Sequence, residues 1–246
     1  MAHATPLPAE LASRETRVVR PRDGKAIYTH PNEEFARLER AGLLRRLAHG
    51  YYLISPAGRG TDLPCLPPIE AIALGIAVAD YGRAAVALTG IGASRVLGAL
   101  PRAISVSVVS IPVRRPPVET AGGAVAFWHR SVKGLDLQKA RTELAQGWTT
   151  TPEQTLLDLA DRPNAGGLAA RVAVESMWAL AARADWHRVR ELSDRQRRPS
   201  AYSRAAWVCE GIVQDAPAPA PLRRPVPSKG LTSWSDAEPA AYGISG

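Results

Sequence analysis

Apolar positions near the start of the chain first follow a helical spacing and then a strand-like one. Phe35, Leu38, Leu43 and Leu44 fall near one helical face, and Arg37, Glu39 and Arg40 lie away from it. Pro31-Asn32-Glu33-Glu34 precedes them. Proline suits the first turn of a helix, and acidic residues there complement the helix dipole. Ala41-Gly42 weakens the helix. Leu43 to Leu47 then reads as a basic strand, Ala48-His49-Gly50 as a turn, and Tyr51-Tyr52-Leu53-Ile54 as a second, β-prone strand. Residues 7–55 therefore predict short helices that end in a β-hairpin.

Further along, apolar spacing predicts helices at about Pro68 to Asp80 and Gly167 to Arg183. Strands are expected over Ile104 to Ile111 and Gly123 to Arg130. Pro116-Pro117 between them fits either a hairpin or a longer excursion. Thr151 as N-cap, Pro152 in the first turn and Gln154 two residues later predict a capping box. Leu156, Leu157, Leu159 and Ala160 supply the apolar face of that helix, so the segment reads as a fold-specifying helix start and not a catalytic motif. From Gln214 the chain runs into APAPAPLRRPVP, a proline density that supports neither helix nor central strand. The expected fold class is mixed α/β (α+β). Three parts are expected: a winged helix-turn-helix at 1–60, a larger mixed domain at 61–213, and an extended or disordered Pro-rich tail at 214–246.

Helix, basic strand, Gly-containing turn and aromatic strand come in the order of a recognition helix and its wing. In that arrangement Asn32, Arg37 and Arg40 can reach base edges in the major groove. Arg45 and Arg46 on the wing strand, with His49 at its tip, can reach flanking phosphates. Arg17, Arg20, Arg22 and Lys25 upstream would add backbone neutralisation. The whole chain carries a formal charge of +8, and of its 31 basic residues only Lys25, Lys133, Lys139 and Lys229 are lysine. Arginine suits bidentate phosphate contacts, although a GC-rich genome would yield the same excess. A second basic stretch, with Arg188, Arg190, Arg195, Arg197 and Arg198, interleaves with Trp186, Tyr202 and Trp207. It suits phosphates or an acidic protein face, and a solvated helix face explains it equally well.

Residues 37–53, RLERAGLLRRLAHGYYL, resemble the winged helix of the AbiEi family, the antitoxins of bacterial abortive-infection (type IV) toxin–antitoxin systems. Thr149 to Ala160, TTTPEQTLLDLA, with Arg162-Pro163 and Gly166-Gly167 behind it, resembles the T-x-P-E-R/Q-T-L-x-D-L signature of that family. Leu88-Thr89-Gly90 with Ala93-Ser94 and Leu97-Gly98 is similar to its short helix after a Ser/Thr-Gly turn. Asp23 to Tyr28 departs from the family's D-L-x-x-x-G segment, and the Pro-rich tail has no counterpart. The resemblance implies a DNA-binding antitoxin that represses its own operon from repeats upstream. It also implies that the chain neutralises a nucleotidyltransferase-like toxin, for which Arg188 to Arg198 are candidate contacts.

Enzyme readings find little support. His3, His30, His49, His129 and His187 show no i, i+4 pair for a metal, no phosphate-binding glycine loop occurs, and no G-x-S-x-G elbow is present. A nuclease would need convergent carboxylates, yet neither expected strand carries an acidic residue and no E-x-K occurs. No cofactor is expected. A transcription factor whose second domain senses a small molecule is the alternative regulator. Cys65 and Cys209 are too isolated for a disulfide framework. The first ten residues lack a signal-peptide pattern. The longest apolar run, Ala71 to Ala79, is short of the ~20 residues that span a bilayer. The expected location is the cytoplasm, without a membrane partner.

Overall fold

The computed structural model describes residues 7–55 and 66–210. The expected Pro-rich tail lies outside the described residues. The chain is mixed α/β, with helices and two β-sheets, and it divides into two compact units. The first comprises Met1–Leu88, Ile104–Val132 and Lys139–Trp148. The second comprises Thr89–Ala103, Lys133–Gln138 and Thr149–Gly246. The boundary expected at 60/61 falls inside the first unit.

The first unit opens with α1 (Ala9–Ala12), β1 (Val18–Val19) and a single 3-10 turn at Pro21–Gly24. Helix α2 (Pro31–Arg40) and the hairpin β2 (Leu44–Ala48) and β3 (Tyr51–Ile54) follow. Pro31 sits in the first turn of α2, and Gly42, at φ 73°, lets the helix end in a Schellman motif. There the Gly42 N–H donates to the Glu39 carbonyl at 3.0 Å and the Leu43 N–H to the Leu38 carbonyl at 3.0 Å. The strands pair antiparallel in the order β1-β3-β2, with Val18 opposite Leu53 and Arg45 also opposite Leu53. A shift between Arg46 and Ala48 bulges the ladder just before the His49-Gly50 turn. Leu11, Val19, Phe35, Leu38, Leu44 and Tyr52 form the core beneath these elements. Phe35 and Tyr52 meet edge to face, with centroids 5.4 Å apart.

Helix α3 (Ile69–Tyr81) is buried continuously from Ile69 to Val78 and packs on β1 and on the larger sheet. A Cβ on Gly75 would come within 2.6 Å of Val18, so glycine there permits a close approach of α3 to β1. Strand β4 (Ala87–Leu88) follows; α4 (Gly90–Val96) belongs to the second unit. The first unit resumes with β5 (Val106–Ile111), β6 (Val118–Thr120) and β7 (Gly123–His129). β5 and β7 are parallel neighbours, Val106 opposite Ala124 through Ile111 opposite His129, and β6 is antiparallel to β7 on its other side. The prolines at 116–117 thus lie on an excursion and not in a β5–β7 hairpin. With β8 (Leu137–Arg141) and β9 (Gln146–Thr150) the sheet runs β6-β7-β5-β4-β9-β8.

In the second unit, α5 (Pro152–Asp161) is the central helix. It packs on α4, α6 (Ala170–Ala181), α7 (Trp186–Arg195) and α8 (Pro199–Val208). Leu156, Leu157, Leu159 and Ala160 enter the same core as Met177, Val189, Leu192 and Tyr202. The polar residues at the start of α5 are used inside the unit. Thr151 Oγ1 accepts from the Gln154 N–H at 3.3 Å and donates to Asp136 at 3.0 Å. The Thr150 and Thr155 hydroxyls are 2.8 Å apart, and Glu153 accepts the Asp185 N–H at 3.1 Å, next to the start of α7. The capping box is only half formed. The Thr151 N–H goes to the Asp136 carbonyl, and the Gln154 side chain turns to Asp158 and Gln196, because a buried polar seam competes for it. Asp158 closes that seam with the Thr89 hydroxyl and Arg198.

Candidate nucleic-acid interface

Burying Phe35 and Leu38 against the hairpin sets which face of α2 looks outward. At 100° per residue the opposite row is Glu33, Ala36, Arg37 and Arg40. Arg40 is exposed; its Nε lies 3.3 Å from its own helix's Ala36 carbonyl, and it forms no ion pair among the described residues. Arg37 pairs with Glu34 at 2.8 Å. Glu33 is exposed on the same row, so the outward face is mixed in sign. Asn32 is exposed at the flank. Ala36, which sequence reasoning passed over, is the small residue between the two arginines; an alanine methyl suits contact with a thymine methyl.

The hairpin residues divide similarly. Arg46 pairs with Glu39 at 3.0 Å and lies 3.2 Å from the Tyr52 hydroxyl. That glutamate raises the Arg46 pKa. Arg45 is half-buried, and His49 is exposed at the tip with Gly50 (φ 75°) behind it. Lys25 is exposed and without an ion pair among the described residues. Arg17 is turned inward, its guanidinium donating to the Ile54 carbonyl at 2.8 Å at the end of β3.

Arg20 and Arg22 are drawn to a residue that no sequence signal marked. Asp80, near the end of α3 with a side chain only 4% exposed, pairs with Arg20, with Arg22 at 2.8 Å and with Arg115 at 2.6 Å. The Tyr51 hydroxyl, from the first residue of β3, donates to the same carboxylate and accepts from Arg115 at 2.6 Å. Burial pushes the Asp80 carboxyl up, but hydrogen bonds from Tyr51, Arg20 and Arg115 outweigh it and hold the pKa below the usual value. Burial and the neighbouring carboxylate push the Tyr51 phenol up. The cluster fixes the turn end of the hairpin, through Tyr51, to α3 and to the β5–β6 excursion, all within the first unit. Only the side chains that converge in space reveal it; their sequence separation hides it.

The arginines of the second unit are largely balanced by their own acids. Arg188 pairs with Asp136 and Glu191, both at 2.7 Å. Arg190 pairs with Asp194 at 3.1 Å beside the Tyr202 ring, and Arg195 lies 3.8 Å from Glu191. Arg198 reaches Asp161 at 3.2 Å. Arg197 alone of the five is exposed without an ion pair among the described residues, and it is held at φ 56°. Arg188, Arg190 and Arg195 run from the first to the last turn of α7, and Arg197 and Arg198 lie in the connection to α8.

Among the described residues, no group of three or more His, Cys, Asp and Glu side chains is placed to hold a metal ion, and no helix is long and apolar enough to cross a membrane. Neither protein-family models nor curated proteins give a match to this chain.

Proposed function

We propose that the chain is a DNA-binding regulator whose N-terminal lobe is a winged helix, with α2 as the recognition helix and the β2–β3 hairpin as the wing. The observation that carries the reading is the element order α1-β1-α2-β2-β3 with antiparallel strand order β1-β3-β2. In a winged helix the same sheet closes under the recognition helix and leaves its far face open to the major groove. A single 3-10 turn at Pro21–Gly24 stands where that fold carries its second helix. Arg37 and Arg40 are the base-edge candidates, Asn32 and Ala36 flank them, and Lys25, Arg45, Arg46 and His49 serve the backbone.

The resemblance to AbiEi antitoxins extends this reading. The chain represses its own operon from an upstream operator in the cytoplasm, has no catalytic activity of its own, and neutralises a nucleotidyltransferase-like toxin from the adjacent gene. The internal use of Thr150 to Asp158 supports a scaffolding role for that motif.

The test is fluorescence anisotropy of the full chain with its upstream DNA and with scrambled DNA, across a salt series. The expected result is preference for the upstream duplex, affinity that falls as salt rises, and weaker binding on Arg40→Ala. Equal, weak binding to both duplexes overturns the winged-helix reading. Co-expression with the neighbouring gene product then tests the antitoxin role by rescue of growth; a toxic neighbour that the chain fails to silence overturns that role alone.

A further inference from the structure

Three guanidinium groups meet one carboxylate around Asp80, so the cluster carries more positive charge than it balances internally. Arg115 is held on both sides, its guanidinium 5.5 Å from the Tyr51 ring centroid and 4.8 Å from that of Phe127. Arg20 lies 4.6 Å over the Tyr51 ring. Such stacking fixes guanidinium planes before any ligand arrives. Arg20 spends one terminal nitrogen on Asp80, and Arg22 one on Asp80 and the Ala79 carbonyl. Their other guanidinium N–H groups make no hydrogen bond among the described residues. Arg22 is 47% exposed and Arg20 27%, so those donors are open to solvent.

We propose that this cluster binds a phosphate group, with Arg22 and Arg20 as the contacting residues and Asp80 and Tyr51 as positioning residues. A fork of oriented donors with an excess of positive charge is the arrangement that recognises phosphate. Because Tyr51 opens the second strand of the hairpin, a duplex seated on α2 and the hairpin is one source of that phosphate. Free phosphate, or a small phosphorylated ligand, is the other. The duplex source rests on the winged-helix reading; phosphate binding itself does not.

Two measurements on the full chain test the proposal. The first is thermal unfolding in phosphate against chloride at matched ionic strength. Phosphate is expected to raise the midpoint, Arg22→Ala to remove the rise, and Arg22→Lys to keep part of it. Arg141→Ala, which deletes another exposed arginine of the same unit, is expected to keep it in full. The second is the salt dependence of duplex binding. If the DNA backbone is the source, Arg22→Ala lowers the slope of log K against log salt by about one and weakens binding about five- to tenfold near 0.1 M salt. Loss of the phosphate effect with an unchanged slope keeps the site and assigns it to a free phosphate or small ligand. A phosphate effect that survives Arg22→Ala, or is absent from the wild type, together with an unchanged slope, overturns the proposal. If the chain shows no preference for its upstream DNA, the winged-helix reading fails while the phosphate arm still decides the site.

Discussion

Asp80 sits in the last turn of α3, where the helix dipole disfavours negative charge and burial disfavours it further. It stays ionised because Tyr51, Arg20 and Arg115 donate to it directly. Asp80→Asn removes the charge and leaves three guanidiniums facing one another, two of them mostly buried. We expect a loss of about 3 kcal/mol at neutral pH, the scale for a buried pair deprived of one partner. The sign of the pH dependence follows from the lowered pKa of the folded state. The stabilisation is complete above the unfolded-state value, about 4, and disappears as pH falls through the lower folded value. Urea midpoints of wild type and Asp80→Asn should therefore differ most near neutral pH and converge in acid; a gap independent of pH would show that the carboxylate charge is not its source. Cys209 is governed by burial alone, which pushes its thiol up to about 12. In a Cys65→Ser background, a thiol reagent at pH 8 should label the protein only after unfolding. Labelling of the folded chain would contradict the packing around α8.

At the scale of elements, local signals were legible and pairings were not. Pro31 starts α2, Thr151 starts α5, and the apolar run near residue 70 gives α3 within one residue at each end. The helix expected from Gly167 begins instead at Ala170, because Gly166 and Gly167 take φ near 80° and Leu168 and Ala169 stay extended. Strands at 106–111 and 123–129 show in their apolar alternation, but nothing local states that they run parallel or that β6 flanks β7. The same limit hid Asp80, whose partners come from β1's flank, β3 and the β5–β6 excursion. It also hid the acids distant in sequence that pair with Arg188 and Arg198, namely Asp136, Asp158 and Asp161. Helix ends offer a sharper comparison. α2 and α7 both close with a Schellman motif, the second through Arg197 N–H to Asp194 carbonyl at 3.2 Å and Arg198 N–H to Ser193 carbonyl at 2.8 Å. Gly42 fills the left-handed position in one and Arg197 in the other. An L-residue pays for that conformation, so Arg197→Gly should stabilise the chain by about 0.5–1 kcal/mol. A higher urea midpoint with an unchanged m-value would establish it, and a lower midpoint would mean that the arginine side chain contributes more than its strain costs.

At the scale of the whole molecule, a net charge of +8 says less than the pairing of its parts. Arginines matched by carboxylates of their own release few counterions when a polyanion arrives, whereas the three that share Asp80 keep an excess of positive charge. By that measure the second unit is a poor polyanion surface: Arg188, Arg190, Arg195 and Arg198 all face acids of their own unit. Arg40 and Lys25 of the first unit do not. The salt dependence of duplex binding should therefore be set by the N-terminal lobe. Arg40→Ala and Lys25→Ala are each expected to lower the slope by about one, and Arg195→Ala to leave it unchanged. Arg197 is the decisive control, since it is exposed, basic and unpaired among the described residues yet belongs to the second unit. If Arg197→Ala lowers the slope as much as Arg40→Ala does, DNA contact extends to the second unit and α2 loses its special place. If Arg197→Ala leaves the slope unchanged, Arg195 and Arg197 are left free of DNA, and charge reversal at both becomes a clean probe of the proposed toxin neutralisation.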